Sequence, residues 1–279
     1  MILIADSGST KTTWCLADAE KKTRQFILTS GINPYYQHEH EILEKLEKEF
    51  TSEKSGIEAI YFYGAGCVSP SVNQVVAKPL SEFFKAEIVQ VNTDLMAAAR
   101  ALCGRQPGIA CILGTGSNSC FYDGKGIANQ VSPLGFILGD EGSGAVLGKT
   151  LLSDILKKQL PEKIISMFFE EFPVSPPEIM ENIYRKPFPN RYAAQFSRFL
   201  YSHIEETEIR DLVTKAFHAF FTRNVLQYPE SAQNQVHFSG SIAWYFQDLL
   251  KETANSLGLK TGKIVQDPIE GLVDFHLKS

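Results

Sequence analysis

Ile2-Leu3-Ile4-Ala5-Asp6-Ser7-Gly8-Ser9-Thr10-Lys11-Thr12 opens the chain and carries most of its meaning. An apolar run ends in an acid, and a turn of small residues follows, with hydroxyls and a lysine behind it. Such a strand delivers a carboxylate and a bare backbone turn to a phosphate. Gly8 lets the backbone approach closely. Backbone N–H groups, Ser9 and Thr10 can donate to phosphate oxygens. Asp6 repels phosphate, so its expected partner is a metal ion, Mg²⁺ reached through water. The same residues also make an ordinary hairpin turn.

Downstream, strand and helix signals alternate. Residues 13–17 read as the hairpin partner of residues 2–5. Residues 38–50 read as an amphipathic helix and 58–63 as a buried strand ending at Gly64-Ala65-Gly66. A helix over 71–84, interrupted or kinked at Pro79, precedes a strand at 87–91. An Ala-rich helix over 94–103 follows, with Thr93 as its cap. This is an α/β pattern. Gly104-Arg105-Gln106-Pro107-Gly108 breaks it, so the expected domains are 1–105 and 106–279.

The opening then recurs. The segment Ala110-Cys111-Ile112-Leu113-Gly114-Thr115-Gly116-Ser117-Asn118-Ser119-Cys120 repeats the scheme of strand, small-residue turn and second strand. Gly116-Ser117 matches Gly8-Ser9 at a separation of 108 residues. That interval suits a duplicated domain rather than a solenoid. Beyond Gly144 the chain reads as mostly helical, with one long helix over 142–160, proline-broken pieces over 162–204 and another long helix over 206–228. A strand at 236–238 ends at Ser239-Gly240-Ser241, a helix spans 242–257, and a strand closes at 262–265.

Composition narrows the classes. The chain has 279 residues, 44% hydrophobic and 21% charged, which suits a packed core. A net charge of −5 gives no basic footprint for nucleic acid or an anionic membrane. No stretch approaches the ~20 apolar residues of a membrane helix, and no signal peptide is read. Five cysteines without a CxxC pair suit a reduced, cytoplasmic protein.

Four strand-end turns share small residues: 6–12, 64–66, 114–118 and 239–241. In α/β proteins such turns line a common crevice. Gly135-Phe136-Ile137-Leu138-Gly139-Asp140-Glu141-Gly142-Ser143-Gly144 adds four glycines and two acids before a helix. Asp140 or Glu141 could cap that helix, but capping alone does not need so many glycines. The segment 144–150 falls one residue short of a Walker A loop, so Lys149 reads as a solvated helix residue.

The ordered set Asp6-Ser7-Gly8-Ser9-Thr10, Asn92-Thr93-Asp94, Gly114-Thr115-Gly116-Ser117-Asn118, Gly139-Asp140-Glu141-Gly142-Ser143 and Gly240-Ser241-Ile242-Ala243 resembles the sugar kinase/Hsp70/actin superfamily. Within it, the chain is similar to the BadF/BadG/BcrA/BcrD ATPase family and its N-acetylglucosamine kinase branch. The resemblance implies two ribonuclease-H-like domains of actin-like ATPase type closing over a cleft, with ATP and Mg²⁺ as cofactors. Asp6, Gly8, Ser9, Thr10 and Lys11 would form the first phosphate turn, with Asp6 organising the metal. Gly114, Thr115, Gly116 and Ser117 would form the second, and Gly240, Ser241 and Ala243 would face the adenosine. Asp94 matches the catalytic base. Asn33, Gly66, Asn118, Gly135 and Asp140 match the sugar side. The implied partner is a small sugar, and family members are often homodimers. Two other readings stand beside the kinase. One is an activator ATPase that drives electron transfer through an iron–sulfur cluster bridging a dimer. The other is a non-catalytic nucleotide- or sugar-sensing protein.

Overall fold

Strand β1 (Ile2–Ser7) pairs antiparallel with β2 (Lys11–Asp18) in the register Ile2 to Ala17 and Ser7 to Thr12. The structure is a computed structural model that describes residues 1–8, 11–18 and 23–277. A further strand not expected from the sequence, β3 (Thr23–Ser30), pairs antiparallel with β2 at the sheet edge. Its mostly exposed pattern hides the burial signal that marks β1. Helix α1 (Glu39–Glu49) leads to β4 (Ala59–Gly64), helix α2 (Pro70–Phe84) to β5 (Ile88–Thr93), and α3 (Asp94–Cys103) follows. β4 runs parallel to β1 and β5 parallel to β4. Pro79 lies inside α2 without ending it, and is buried.

The first sheet is covered on both faces, which is why Leu3, Ile4 and Ala5 are all fully buried. Alternate strand residues point to opposite faces. Leu3, Ala5 and Trp14 join Ile42 and Leu46 of α1 and Val76 and Leu80 of α2. Ile4, Cys15 and Tyr63 join Ala97 of α3 on the other face.

The second sheet repeats the first. It contains β6 (Gly108–Leu113), β7 (Ser117–Tyr122), β8 (Ile127–Asn129), β9 (Val236–Ser239) and β10 (Thr261–Val265). Its order, β10-β9-β6-β7-β8, matches β5-β4-β1-β2-β3 strand for strand. Both pairings of β7 are antiparallel and both pairings of β9 are parallel, as for β2 and β4. The duplication suggested by two small-residue turns therefore extends through five strands in each half.

Between β8 and β9 lie α4 (Gly135–Leu138), α5 (Gly144–Leu156), α6 (Glu162–Glu171), α7 (Pro176–Tyr184), α8 (Pro189–Ala194), α9 (Ser197–Ser202) and α10 (Thr207–Arg223). α11 (Ser241–Tyr245) and α12 (Gln247–Ser256) lie between β9 and β10, and α13 (Ile269–Leu277) closes the chain. Three helices expected to be long are shorter. α5 stops at Leu156, before Lys158 takes a left-handed conformation. α10 gives way to a 3-10 turn at Val225–Gln227, and Phe246 separates α11 from α12. Phe217, Phe220 and Phe221 of α10 share the second unit's core with Ile109, Cys111 and Leu113 of β6, as their helical spacing implies.

The chain divides into two compact units: residues 1–106 with 267–279, and residues 107–266. This corrects the expected assignment of the C-terminal segment to the second domain. Ile269, Leu272 and Val273 of α13 pack beside Ile4, Cys15 and Ala17. They fill a face of the first sheet that α3 alone leaves open. Apolar burial thus returns the chain end to its first unit.

Candidate active site

In the first unit the site begins at the end of β1. Asp6 shares the strand face of Ile4, the face covered by α3 and α13. Asp94 is the first residue of α3, and Asp267 lies two residues before α13. That parity brings the three carboxylates into electrostatic range. Burial, then repulsion from Asp267 and Asp94, raises the Asp6 pKa to about 8, with Lys11 opposing. Burial also lifts Asp94, against the backbone N–H bonds of Leu95 and of Asp94 itself. Leu95 N donates to Asp94 Oδ1 at 2.8 Å, and Thr93 Oγ1 caps the helix by accepting from Met96 N at 3.0 Å. The expected Thr93 cap and a rigid mount for Asp94 are both present.

Sequence reasoning did not single out Asp267. Its Oδ2 lies 3.5 Å from Lys11 Nζ, and its Oδ1 accepts from Ile269 N at 3.0 Å. The available signal was Asp267-Pro268, an acidic cap before a proline, which marks a helix start and says nothing of Asp6.

The turn after Asp6 is tied to the neighbouring loop. Ser7 is fully buried; its Oγ lies 2.7 Å from Thr12 Oγ1 and exchanges hydrogen bonds with both backbone groups of Ile32. Gly8 N donates to Lys11 O at 3.0 Å. Ser9 and Thr10 lie outside the described residues. Ser7 thereby sets the position of Asn33, one residue past Ile32. Asn33 Oδ1 accepts from Tyr35 N at 3.0 Å, and Gln37 Oε1 accepts from Asn33 N at 2.9 Å. Gly66 meets this group at φ +87°, and a Cβ there would fall 2.7 Å from Asn33 Oδ1. Two residues of the expected sugar side, Asn33 and Gly66, are therefore in contact. Cys67, next in the chain, is buried, and its thiol is pushed up to about 12 by burial and by the Asp94 charge.

In the second unit the β6–β7 turn holds Gly114, Thr115 and Gly116, with Ser117 opening β7. The carbonyls of Gly114 and Thr115 accept from Gly144 N at 2.8 Å and Ala145 N at 3.0 Å, the first turn of α5. Asp140 adopts a left-handed φ of +56° and turns its carboxylate onto this loop. Asp140 Oδ1 accepts from Ser117 N at 3.3 Å, and a Cβ on Gly116 would sit 3.0 Å from Oδ2. Burial raises the Asp140 pKa, with the Ser117 N–H and Lys149 opposing and Glu141 adding to the rise. Asn118 Oδ1 accepts from Ser119 N at 2.9 Å and from Gln130 Nε2 at 3.1 Å.

The Gly-Asp-Glu-Gly-Ser motif divides its labour. Neither acid caps α5; Ser143 Oγ does, accepting from Val146 N at 3.2 Å. Glu141 Oε1 pairs with Arg223 Nε at 2.5 Å, and Glu141 Oε2 accepts from Asn224 Nδ2 at 3.3 Å. Asp140 is thus left for the loop. Gly135 follows Leu134, and both are left-handed. Lys149 is not simply solvated: its Nζ donates to Phe136 O at 2.8 Å.

The remaining expected contacts lie at the end of β9. Gly240 has φ +115°, its N donates to Val265 O, and a Cβ would fall 2.4 Å from Leu113 O. Only glycine permits that approach. Ser241 is exposed, whereas Ala243 is fully buried in the core behind the loop.

Two five-stranded sheets of one topology, each opening with a small-residue hairpin turn, define an α/β protein of the actin-like ATPase class. The chain belongs to the BadF/BadG/BcrA/BcrD ATPase family, whose pattern matches residues 5–256. A candidate N-acetylglucosamine kinase of Porphyromonas gingivalis, with a known crystal structure, is 44% identical. The match spans 100% of this chain and 99% of that one, with a TM-score of 0.96. A candidate N-acetylglucosamine kinase of Chromobacterium violaceum shares the fold at 18% identity and a TM-score of 0.73, over 99% of each chain. A ROK family glucokinase of Streptomyces griseus, crystallised with glucose and AMPPNP, shares it at 13% identity and a TM-score of 0.60, over 98% and 97%. No curated protein matches the chain.

Proposed function

We propose that this protein is an ATP- and Mg²⁺-dependent sugar kinase that phosphorylates an amino sugar, N-acetylglucosamine at its 6-hydroxyl. The observation that carries the reading is the convergence of Asp6 and Asp94 at one end of the first unit. Membership of an ATPase family and 44% identity to a candidate N-acetylglucosamine kinase support the substrate class.

Asp94 acts as general base. It accepts the proton of the acceptor hydroxyl as the new P–O bond forms and the bond to ADP breaks. Its raised pKa strengthens it as a proton acceptor. The turns 6–11 and 114–117 bind phosphates through backbone N–H groups and hydroxyls. Gly240 and Ser241 bind the adenosine side, and Ala243 supports them from the core. Asn33, Gly66, Asn118, Gly135 and Asp140 bind the sugar, where fixed acceptors reward its hydroxyls.

A hard divalent cation suits the first unit. The donors are carboxylate oxygens, and both the burial and the repulsion from Asp267 and Asp94 that raise Asp6 are offset by positive charge. Asp6 would hold Mg²⁺ through water, and the ion would supply charge shielding for the phosphate oxygens.

The iron–sulfur activator reading fits the cysteines poorly. A bridging cluster needs thiolates at a surface. Cys15, Cys67, Cys111 and Cys120 are at most 1% exposed. Cys103 alone is half-buried.

The test is ADP release over N-acetylglucosamine, glucosamine, N-acetylmannosamine, N-acetylmuramic acid and glucose, with wild type and Asp94→Asn. Turnover should depend on N-acetylglucosamine and fall about 10²–10⁴-fold in the variant. ATP hydrolysis independent of sugar and indifferent to Asp94→Asn would sink the reading.

A further inference from the structure

The segment from Val131 to Asp140 joins β8 to the Gly-Asp-Glu-Gly-Ser motif and carries Gly135 and Asp140. Val131 packs against the core of the second unit, but beyond it the apolar side chains are open to solvent: Leu134 is 59% exposed, Ile137 76% and Leu138 69%. Past Val131, its position rests on polar ties. Asp140 Oδ1 accepts from Ser117 N and Phe136 O accepts from Lys149 Nζ, while Asp140 N donates to Pro133 O within the segment. A further tie is at the root of the segment. There Val131 N donates to Tyr228 Oη at 2.8 Å.

Tyr228 follows the 3-10 turn after α10, far from the segment in sequence. Its ring is 1% exposed and packs in the core of the second unit. Its Oη donates to Ser119 O at 2.9 Å and lies 2.9 Å from Ser119 Oγ. A phenol has one proton to donate and two lone pairs to accept with. With Ser119 Oγ–H and Val131 N–H donating to it, all three are engaged. Ser119 is on β7, two residues from Ser117 and next to Asn118. The phenol oxygen thus fixes the root of the segment to the strand that carries Ser117, while Asp140 fixes its far end to Ser117 itself.

We propose that Tyr228 is a positioning residue for the sugar: its hydroxyl sets where the 131–140 segment presents Asp140 against β7. The inference rests on the sugar-kinase reading above. Tyr228→Phe keeps the buried ring and deletes the tie.

The experiment is steady-state kinetics of Tyr228→Phe, varying N-acetylglucosamine and ATP separately, with amide exchange measured over residues 131–140. The KM for sugar should rise about tenfold, the order expected for one lost buried hydrogen bond. The KM for ATP should stay within about twofold, and exchange at Val131 should accelerate. Val131→Pro removes the same bond from the segment's side, leaves the phenol packed, and should reproduce the sugar effect if Tyr228→Phe does not fold. Ser119→Ala keeps the Val131 bond and should leave the sugar KM near wild type. An unchanged sugar KM, or an equal rise in both KM values, overturns the inference. Wild type without sugar-dependent turnover overturns the functional reading instead; exchange at 131–140 unaltered by Tyr228→Phe then overturns the tie as well.

Discussion

Burial beside two other acids makes the charge of Asp6 costly. Its pKa of about 8 lies well above its ordinary 3.8. Between those values the folded state binds more protons than the unfolded chain, so stability falls as pH rises through that window. The slope from one such group is at most ~1.4 kcal/mol per pH unit. Asp6→Asn removes the buried charge, so its melting temperature should exceed that of wild type by a margin that grows from pH 5 to pH 8. A constant margin would contradict the raised pKa. Mg²⁺-dependent ATP binding should be lost in the same variant. Asp94→Asn separates binding from chemistry: turnover should fall about 10²–10⁴-fold while calorimetry still finds ATP bound. Asp94 was legible in the sequence because its neighbours Asn92 and Thr93 form a motif. Asp267 was not, since its partner Lys11 is 256 residues away.

At the scale of elements, turns and helix starts do the positioning. Ser143 caps α5, and Ser143→Ala should cost about 1 kcal/mol, read as a lowered melting temperature. Gly240 joins β9 to α11 where no side chain fits, with Leu113 O 2.4 Å from an added Cβ and φ at +115°. Gly240→Ala should lower stability and weaken ATP binding together; unchanged ATP affinity would detach this turn from the nucleotide. The strands β1 and β6 were readable because continuous burial leaves an apolar run. The strand β3 was not, because one exposed edge strand leaves no periodic signal. The breaks at Leu156, Arg223 and Phe246 escaped for a related reason: no glycine or proline stands at any of the three to mark it.

At the scale of the molecule, the chain end belongs to the beginning. α13 covers Ile4, Cys15 and Ala17, and Arg24 on β3 pairs with Glu270 and Asp274 of the same helix. Deleting residues 267–279 should expose that apolar face and leave an insoluble or unfolded first unit, checked by solubility and amide exchange of β1 and β2. A soluble truncated protein with protected β1 amides would show that α3 suffices. Among the described residues no helix is long and apolar enough to cross a membrane.

The sequence by itself determined what is local or periodic. The β1 run, its turn at Asp6–Gly8, the echo at Gly114–Ser117, the Thr93 cap and the family motifs all lie within short windows. Only the tertiary structure decided what depends on contacts between distant segments. It returned α13 to the first unit, set Asp267 beside Lys11, aimed Asp140 at Ser117 and tied Val131 to Tyr228. The physical reason is that apolar burial and hydrogen bonding act through space. Spacing along the chain reports which face a residue takes, and not which residue meets it there.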